Sequence, residues 1–283
     1  MQYNIIKDST VEETVKELFL ECNYHIGKDI TKALQKALKT EESSVGKNVL
    51  SCLLKNNEIA GEEEIPICQD TGMAVLFVEY GDKVLIEGDF KRAVQEGVRR
   101  AYEEGFLRKS VVADPVFDRI NTRDNTPAIV YTEIVPGTKI RFLGGCKGFG
   151  SENMSKIKML TPSSGIDGVK DFILETVREA GPNPCPPIIV GIGIGGTFEK
   201  AAQLAKKATF RAVDSKNSDS VYAQLEDELL EKINKMGIGP AGLGGTTTAL
   251  GVNIETFPTH IAGMPVAVNI CCHVSRHAVR EIG

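Results

Sequence analysis

The segment CQDTG at residues 68–72 places a thiol beside an amide, a carboxylate and a hydroxyl. Cys68 directly precedes Gln69 and Asp70, and a run of strand-forming residues follows the turn. A group of side chains like this can be a packed turn, a corner of a metal site or a catalytic loop. The other cysteines of the chain help to decide between these interpretations.

Further cysteines lie in segments rich in proline or next to a strand-like run. Cys185 lies in GPNPCPP, and the pair Cys271 and Cys272 lies in VAVNICCH. Their spacing fits neither a zinc ribbon nor a ferredoxin, so the fold would have to gather them around a metal. Prolines on both sides of Cys185 suit a rigid ligand loop better than a helix or strand. Spacing alone leaves open that these are unrelated buried thiols.

A glycine-rich segment satisfies the dinucleotide fingerprint formally. Gly191, Gly193 and Gly196 follow an apolar run and precede a helical pattern. The same spacing recurs in GIGPAGLGG, where no helical pattern follows, and the fingerprint normally opens the first βαβ unit. The motif therefore has little specificity here. A nicotinamide-dependent oxidoreductase and an anion site at this turn remain alternatives.

The hydrophobic pattern predicts a mixed α/β (α+β) fold in a single domain, residues 1–283, with a helical subregion at about 1–60. Ser9 and Glu12 form a capping-box pattern at the start of the first helix, and Cys22 and Cys52 fall on apolar helix faces, which predicts core positions. Strand-like runs on either side of Gly81 predict a hairpin or meander. Runs joined through Pro136 and Gly137 predict a second hairpin.

Composition limits the classes of partner. The chain has 33 Lys and Arg against 38 Asp and Glu, a net charge of −5, which disfavours nucleic acid as the main partner. The first residues carry no secretion-signal pattern, and no run approaches the length of a membrane span. We therefore expect a cytoplasmic protein that binds neither nucleic acid nor membrane, with its seven cysteines as thiols or metal ligands.

Five motifs in order, CQDTG, KGFGSEN, NPCPP, GIGIGGTFEKAAQLAK and AVNICCH, resemble the α half of the class I, iron–sulfur fumarate hydratase and L-tartrate dehydratase family. The resemblance runs from about residue 10 to near residue 280. It implies that Cys68, Cys185 and Cys272 hold a 4Fe-4S cluster, with one iron left without a thiolate as a Lewis acid. Cys272 precedes His273 and matches the family pattern, so Cys271 is expected to be a packed neighbour.

The resemblance also implies roles for other side chains. Gln69 would bind a substrate carboxylate and Asp70 would take part in proton transfer, although an Asx-type turn is an alternative for Asp70. Arg108, expected at the end of a helix that begins near Asp89, would clamp a substrate carboxylate. His260 would be a catalytic residue, with an ordinary core histidine as the alternative. Lys147 and Gly150 would belong to a loop near the substrate, and Cys146 beside it is expected to be structural.

The resemblance implies a partner. In the family, further substrate contacts, including a lysine in a Lys-Gly-Asp motif, come from a β part, and no Lys-Gly-Asp occurs in this sequence. We therefore expect a separate β subunit in an α2β2 assembly, and little activity from the isolated chain. The expected reaction is reversible hydration of the small dicarboxylate fumarate to L-malate, with L(+)-tartrate dehydration as the alternative. A structural or regulatory iron–sulfur protein would be favoured if a fourth cysteine were a ligand.

Overall fold

The computed structural model describes residues 3–283. In chain order, its α-helices are α1 (Asp8–Tyr24), α2 (Lys28–Thr40), α3 (Ser44–Glu63), α4 (Phe90–Glu104), α5 (Phe149–Glu152), α6 (Gly165–Ala180), α7 (Phe198–Ala208) and α8 (Ser220–Asn234). The strands are β1 (Asn4–Lys7), β2 (Met73–Gly81), β3 (Val84–Glu87), β4 (Ile129–Val135), β5 (Ile140–Lys147), β6 (Lys156–Leu160), β7 (Ile188–Gly195), β8 (Ala249–Phe257), β9 (Met264–Cys271) and β10 (Arg276–Ile282). This confirms the predicted mixed α/β class with helices near the N-terminus.

The chain divides into two compact units, each built from separate stretches of sequence. Unit 1 consists of the described residues up to Gly27, then Asn57–Gly148 and Arg276–Gly283. Unit 2 consists of Lys28–Asn56 and Phe149–Ser275. Each unit therefore combines helices and strands that are far apart in sequence.

Unit 1 is a four-stranded sheet in the order β10-β5-β2-β4, with a separate parallel pair of β1 and β3. β2 runs antiparallel to β5 and parallel to β4. One face of α1 is buried at helical spacing, at Val11, Val15 and Leu18, and packs with side chains of α4, β2 and β5 in one hydrophobic core. Burial of this apolar face is the main reason that α1 lies against the sheet.

Both predicted hairpins are wrong. β2 and β3 belong to different sheets, and β4 and β5 do not pair because β2 lies between them. The chain at the end of β2 instead bonds to the connection between β4 and β5. Gly81 N–H donates to Lys139 O (3.0 Å), and Lys83 N–H donates to Gly137 O (2.9 Å). The prediction paired β4 with β5 because they are neighbours in sequence. In the structure β4 pairs with β2, which lies about fifty residues earlier.

The first helix begins at Asp8 rather than behind Ser9, and its N-cap residue Lys7 makes no side-chain cap bond. The Asp8 carboxylate instead accepts from Arg92 (2.6 Å) and from the N–H of Asp89 (3.3 Å). Cys22 is buried, as expected, but Cys52 is exposed, so the prediction of a core position for Cys52 is wrong.

Unit 2 is a four-stranded sheet in the order β6-β9-β7-β8, covered by helices on both faces. Alternate residues of the central strand β7 point to opposite faces. Ile188, Val190 and Ile192 pack into a core with α6 and α8, whereas Gly191 and Gly193 face α7.

The glycines of the fingerprint have a packing role. A Cβ at Gly191 would lie 2.3 Å from Ala205 O, and one at Gly193 would lie 2.0 Å from Ala201 O. Both glycines lie inside β7 and allow α7 to approach the strand closely, rather than forming a turn after it. The dinucleotide interpretation loses its structural basis at these two positions.

None of the helices described between residues 3 and 283 is long and apolar enough to cross a membrane.

A buried carboxylate joins distant parts of unit 2. Glu41, in the connection between α2 and α3, is 1% exposed. Its Oε1 accepts from the N–H groups of Glu42 (2.9 Å), Ser43 (3.0 Å) and Thr246 (2.9 Å), and its Oε2 accepts from that of Thr247 (2.8 Å). Burial would raise the pKa of Glu41, but these hydrogen bonds outweigh it and lower the pKa to about 2.

We predict that Glu41→Gln lowers the free energy of unfolding at neutral pH, and that its difference from the wild type shrinks in acid. The pKa of Glu41 falls from 4.5 to about 2 on folding, so its stabilisation is present above pH 4.5 and is lost as the pH falls through about 2. The shift corresponds to roughly 3 kcal/mol at neutral pH. Guanidinium titrations at pH 7, 5, 4 and 3 measure it. A difference that stays constant with pH contradicts the prediction.

Candidate active site

The CQDTG turn of unit 1 directly precedes β2. Asp70 Oδ1 accepts the N–H of Gly72 at 3.0 Å, which is the Asx-type turn considered as an alternative for this residue. Gly72 has φ 78°, and a Cβ there would lie 2.8 Å from the carbonyl carbon of Lys147. The turn therefore requires glycine at this position. Cys68 is partly exposed and Gln69 is exposed, while Thr71 and Gly72 are buried.

Buried polar side chains fix the backbone of this turn. The Thr71 hydroxyl donates to Arg108 O at 3.0 Å, and the Tyr102 hydroxyl lies 3.0 Å from Thr71 O and 2.9 Å from Gly72 O. Asn125 Nδ2 also donates to Gly72 O, at 3.2 Å. Thr71 and Gly72 therefore shape this turn.

Arg276, which sequence reasoning missed, lies against the same turn. It is 2% exposed, and its Nη1 donates to Asp70 O at 2.6 Å and to Asn23 Oδ1 at 3.4 Å. A Cβ at Gly148 would lie 3.1 Å from Asp70 Oδ2 and 3.4 Å from Arg276 Nη2, so carboxylate and guanidinium both approach this glycine. The signal in the sequence was a basic residue just after the CCH motif.

Two other predicted residues of unit 1 lie at different depths. α4 ends at Glu104, so Arg108 lies in the loop beyond the helix rather than at its end, and it is exposed. Lys147 ends β5, is 1% exposed and donates to Gly148 O at 3.2 Å. Arg108 is thus the accessible cation, and Lys147 is held inside the unit.

Cys146 is structural, as expected. It is buried in β5, where Asn23 Nδ2 approaches its Sγ at 3.1 Å. Burial raises the pKa of its thiol, although the Arg276 guanidinium offsets part of this effect. A protonated, enclosed thiol is unsuited to act as a nucleophile or metal ligand.

In unit 2, Cys185 lies in the loop between α6 and β7. It is exposed, and its φ of 54° is the left-handed conformation that few non-glycine residues adopt. Its N–H donates to Pro182 O at 3.1 Å, and the neighbouring Pro186 O accepts from Ala241 N–H at 2.8 Å. The loop is therefore rigidly formed, as the flanking prolines predicted.

The two adjacent cysteines have different surroundings. Cys271 is the last residue of β9, lies opposite Ile189 and is 2% exposed. Cys272 follows the strand, is partly exposed, and its Sγ lies 3.8 Å from Val274 O. The expectation that Cys271 is a packed neighbour is confirmed.

Gly150 lies in α5, a single exposed turn of helix, with nothing within 4 Å of a Cβ built on it. Glu152, two residues later, accepts hydrogen bonds from Lys206 and from Asn269 Nδ2 (3.0 Å). Asn269 Nδ2 also donates to Ser155 Oγ (2.9 Å). These contacts attach the predicted substrate loop to α7 and to β9. Lys206 and Asn269 lie inside two of the quoted motifs, but sequence reasoning assigned neither of them a role.

His260 is not a core histidine. It is exposed in the loop between β8 and β9, where its Nδ1 accepts the N–H of Ala262 at 3.2 Å. This hydrogen bond leaves Nε2 as the nitrogen that carries the proton in the neutral ring.

The chemistry of the three predicted ligands suits an iron–sulfur group. Cys68, Cys185 and Cys272 are in no disulfide, are at least partly exposed and lie in loops, and thiolates are the usual ligands of such clusters. Within residues 3–283, the structure forms no group of three or more His, Cys, Asp or Glu side chains that could hold a metal ion. The fit to the cluster therefore rests on donor type and exposure.

Comparison with known proteins identifies the family. The family described as "Fumarate hydratase (Fumerase)" matches residues 12–281. This is a class of hydro-lyases, and the chain belongs to the fumarate hydratase family.

The curated relatives carry a related name. The putative L(+)-tartrate dehydratase subunit alpha of Methanocaldococcus jannaschii is 43% identical over 96% of this chain and 97% of its own length. The L(+)-tartrate dehydratase subunit alpha of Escherichia coli strain K12 is 33% identical over 88% of this chain and 82% of its own length. The resemblance found from the motifs is thus confirmed along nearly the whole chain.

We predict that Thr71→Val increases the flexibility of the Arg108 loop, whereas Thr71→Ser does not. Valine keeps the shape but removes the donor to Arg108 O, which costs about 1 kcal/mol locally. Hydrogen exchange, followed in peptides that cover residues 106–112, should be faster in the valine variant alone. Equal exchange in both variants contradicts a role for the hydroxyl.

Proposed function

We propose that this chain is the α subunit of a 4Fe-4S hydro-lyase that reversibly hydrates fumarate to L-malate. The observation that carries the proposal is family membership over residues 12–281. The family's three thiol positions are present as Cys68, Cys185 and Cys272, none of them in a disulfide. A cluster sensitive to oxidants fits the cytoplasmic location expected from the sequence.

Cys68, Cys185 and Cys272 would hold the cluster. When bound, it would supply a Lewis acid for the hydroxyl and carboxylate oxygens of the substrate, because only three thiolates are available for it. The burial of Cys271 in β9 argues against its being a ligand, and so against the alternative of a fully thiolate-ligated protein.

Hydration adds a hydroxyl to one alkene carbon and a proton to the other. Asp70 is the proposed residue for the proton transfer, and its Oδ1 is already oriented by the Gly72 N–H. The exposed Gln69 amide would donate to a substrate carboxylate, and the exposed Arg108 fork would bind a carboxylate through two parallel hydrogen bonds. His260 would donate from Nε2.

The loop at 147–152 completes the proposed binding residues of this chain. Gly150 is exposed, so its backbone is accessible to a ligand. The adjacent Ser151 is buried, and Glu152 is attached to Lys206 and Asn269. Lys147 would act through its charge and through the carbonyl of Gly148, to which it donates.

A β subunit is the proposed partner, in an α2β2 assembly. The names of both curated relatives include "subunit alpha". The loop that carries Arg108 also exposes large apolar side chains: Phe106 is 89% exposed and Phe117 is 84% exposed. Apolar side chains exposed this fully are typical of surfaces that another chain covers.

L(+)-tartrate dehydration is the second candidate, and the names of the relatives favour it. Malate and tartrate differ by one hydroxyl, so both reactions place the same demands on Asp70 and Arg108. The nicotinamide-dependent alternative is disfavoured because Gly191 and Gly193 pack against α7.

We predict that the chain, purified and reconstituted without oxygen, binds about four irons and four sulfides, and that Cys68→Ala, Cys185→Ala and Cys272→Ala each abolish this binding. Removal of one of three thiolates leaves too few ligands to retain the cluster. Iron and sulfide assays with visible and electron paramagnetic resonance spectra provide the measurement.

Cys52→Ala and Cys271→Ala are the matched controls, one exposed and one buried. Both should bind iron as the wild type does. Wild-type protein without iron after reconstitution contradicts the cluster, and loss of iron in Cys271→Ala would reopen the ligand set.

We also predict that the chain turns over neither substrate alone and gains activity with its β subunit. The isolated chain offers one exposed arginine among the predicted substrate contacts, and a dicarboxylate needs countercharge at both ends. Formation of fumarate from L-malate and of oxaloacetate from L-tartrate, compared by kcat/KM, distinguishes the two candidates. Full activity of the cluster-loaded chain by itself contradicts the need for a partner.

A further inference from the structure

The segment at 237–248, which precedes β8, folds tightly upon itself. Its glycines at 237, 239, 242, 244 and 245 all have positive φ. A Cβ at Gly239 would lie 2.1 Å from the carbonyl carbon of Gly244, and one at Gly245 would lie 2.6 Å from Glu41 Oε1. The Glu41 carboxylate thus occupies the space where a side chain at Gly245 would lie. We refer to residues 237–248 as the glycine loop.

The glycine loop contacts the Cys185 loop on both sides of the cysteine. Ala241 N–H donates to Pro186 O at 2.8 Å, and a Cβ at Gly242 would lie 2.2 Å from Pro182 Cβ. Farther along, Ile188 N–H donates to Thr248 O at 2.9 Å. The two loops are therefore joined at three points.

Cys185 has a conformation that its surroundings must maintain. Its φ of 54° is unfavourable for a residue with a side chain, and Ala241, which contacts this loop, has the same φ of 54°. Such conformations persist only where the surrounding structure restrains them. Within unit 2, the carboxylate of Glu41 is the buried anion that binds the N–H groups of Thr246 and Thr247 in the glycine loop.

We propose that Glu41 is a positioning residue for Cys185, acting through the glycine loop to hold the thiol in the conformation in which it binds a metal cluster. This inference rests on the proposed function only in taking Cys185 as a cluster ligand. The contacts that carry it all lie within unit 2.

An ionised carboxylate suits this position better than other side chains of similar size. Four backbone N–H groups converge on its two oxygens, and a carboxylate only accepts hydrogen bonds. Glutamine would present an NH2 group to one of these donors. Aspartate keeps the charge on a shorter side chain, so it should restore part of the restraint.

Glu226 provides a matched control in the same unit. It is 3% exposed, and it accepts from the N–H of Ile254 (2.8 Å) and from Arg211 (2.7 Å). Its hydrogen bonds involve β8 and the connection before α8, not the glycine loop. Glu226→Gln therefore removes a buried carboxylate without touching the proposed path to Cys185.

The test measures the Cys185 loop directly in the full chain without its cluster. The rate of amide hydrogen exchange is followed by mass spectrometry in peptides that cover Cys185, whose N–H donates to Pro182 O, with peptides that cover Cys52 and Cys68 as internal references. In Glu41→Gln, the Cys185 rate should rise about threefold or more, because local opening becomes more frequent, while the reference rates stay unchanged. Glu226→Gln should leave all three rates unchanged, although it destabilises the chain. Glu41→Asp should give an intermediate Cys185 rate.

Iron content after anaerobic reconstitution separates this inference from the proposed function. We expect Glu41→Gln to retain less than about half of the wild-type iron, since one ligand is misplaced. An unchanged Cys185 rate in Glu41→Gln, or an equal rise in Glu226→Gln, overturns the positioning role even if the wild type binds its cluster. A second outcome is that the Cys185 rate rises in Glu41→Gln while the wild-type chain binds no iron. That result supports the restraint of the loop by Glu41 and overturns its role in cluster binding. If Glu41→Gln does not fold, the same comparison is made with Glu41→Asp.

Discussion

Backbone groups that no sheet or helix pairs must find other hydrogen-bond partners, and this requirement shapes the candidate loops in each unit. The CQDTG turn and the Cys185 loop lie outside the sheets, so no ladder satisfies their N–H and C=O groups. In unit 1, Tyr102 and Arg276 bond the carbonyls around Asp70. In unit 2, Glu41 binds the N–H groups of the glycine loop that contacts the Cys185 loop. Each loop keeps one shape because a buried polar side chain from elsewhere in the chain holds it.

Glycine serves two different purposes in this chain. Gly191 and Gly193 allow a helix to approach a strand, whereas Gly72 and Gly245 allow a turn to adopt positive φ and to pass close to another group. A sequence pattern does not distinguish these uses. The dinucleotide fingerprint was therefore matched by glycines that pack against α7, and the conformational role of the GIGPAGLGG segment was not foreseen.

The sequence predicted the parts of the structure that depend on neighbouring residues. Helix spacing located α1 and the helical region that follows it, and the prolines around Cys185 indicated a loop. The pairing of β4 with β2, rather than with β5, depends on residues far apart in the chain and could not be read locally. Arg276 and Glu41 were missed for the same reason, since their partners lie about 200 residues away. Family motifs led to the proposed reactive residues but gave no sign of the residues that hold their loops.

The distribution of positive charge in unit 1 bears on how a dicarboxylate could be bound. Lys147 and Arg276 are both buried and donate to backbone carbonyls, so each of them supports the turn at Asp70 and Gly148. Arg108 is exposed, in a loop whose backbone is held by Thr71. A side chain that restrains a turn cannot also reorient to clamp a ligand without releasing that turn. The second carboxylate of the substrate therefore needs a cation other than Lys147 and Arg276, which is consistent with the proposed β subunit.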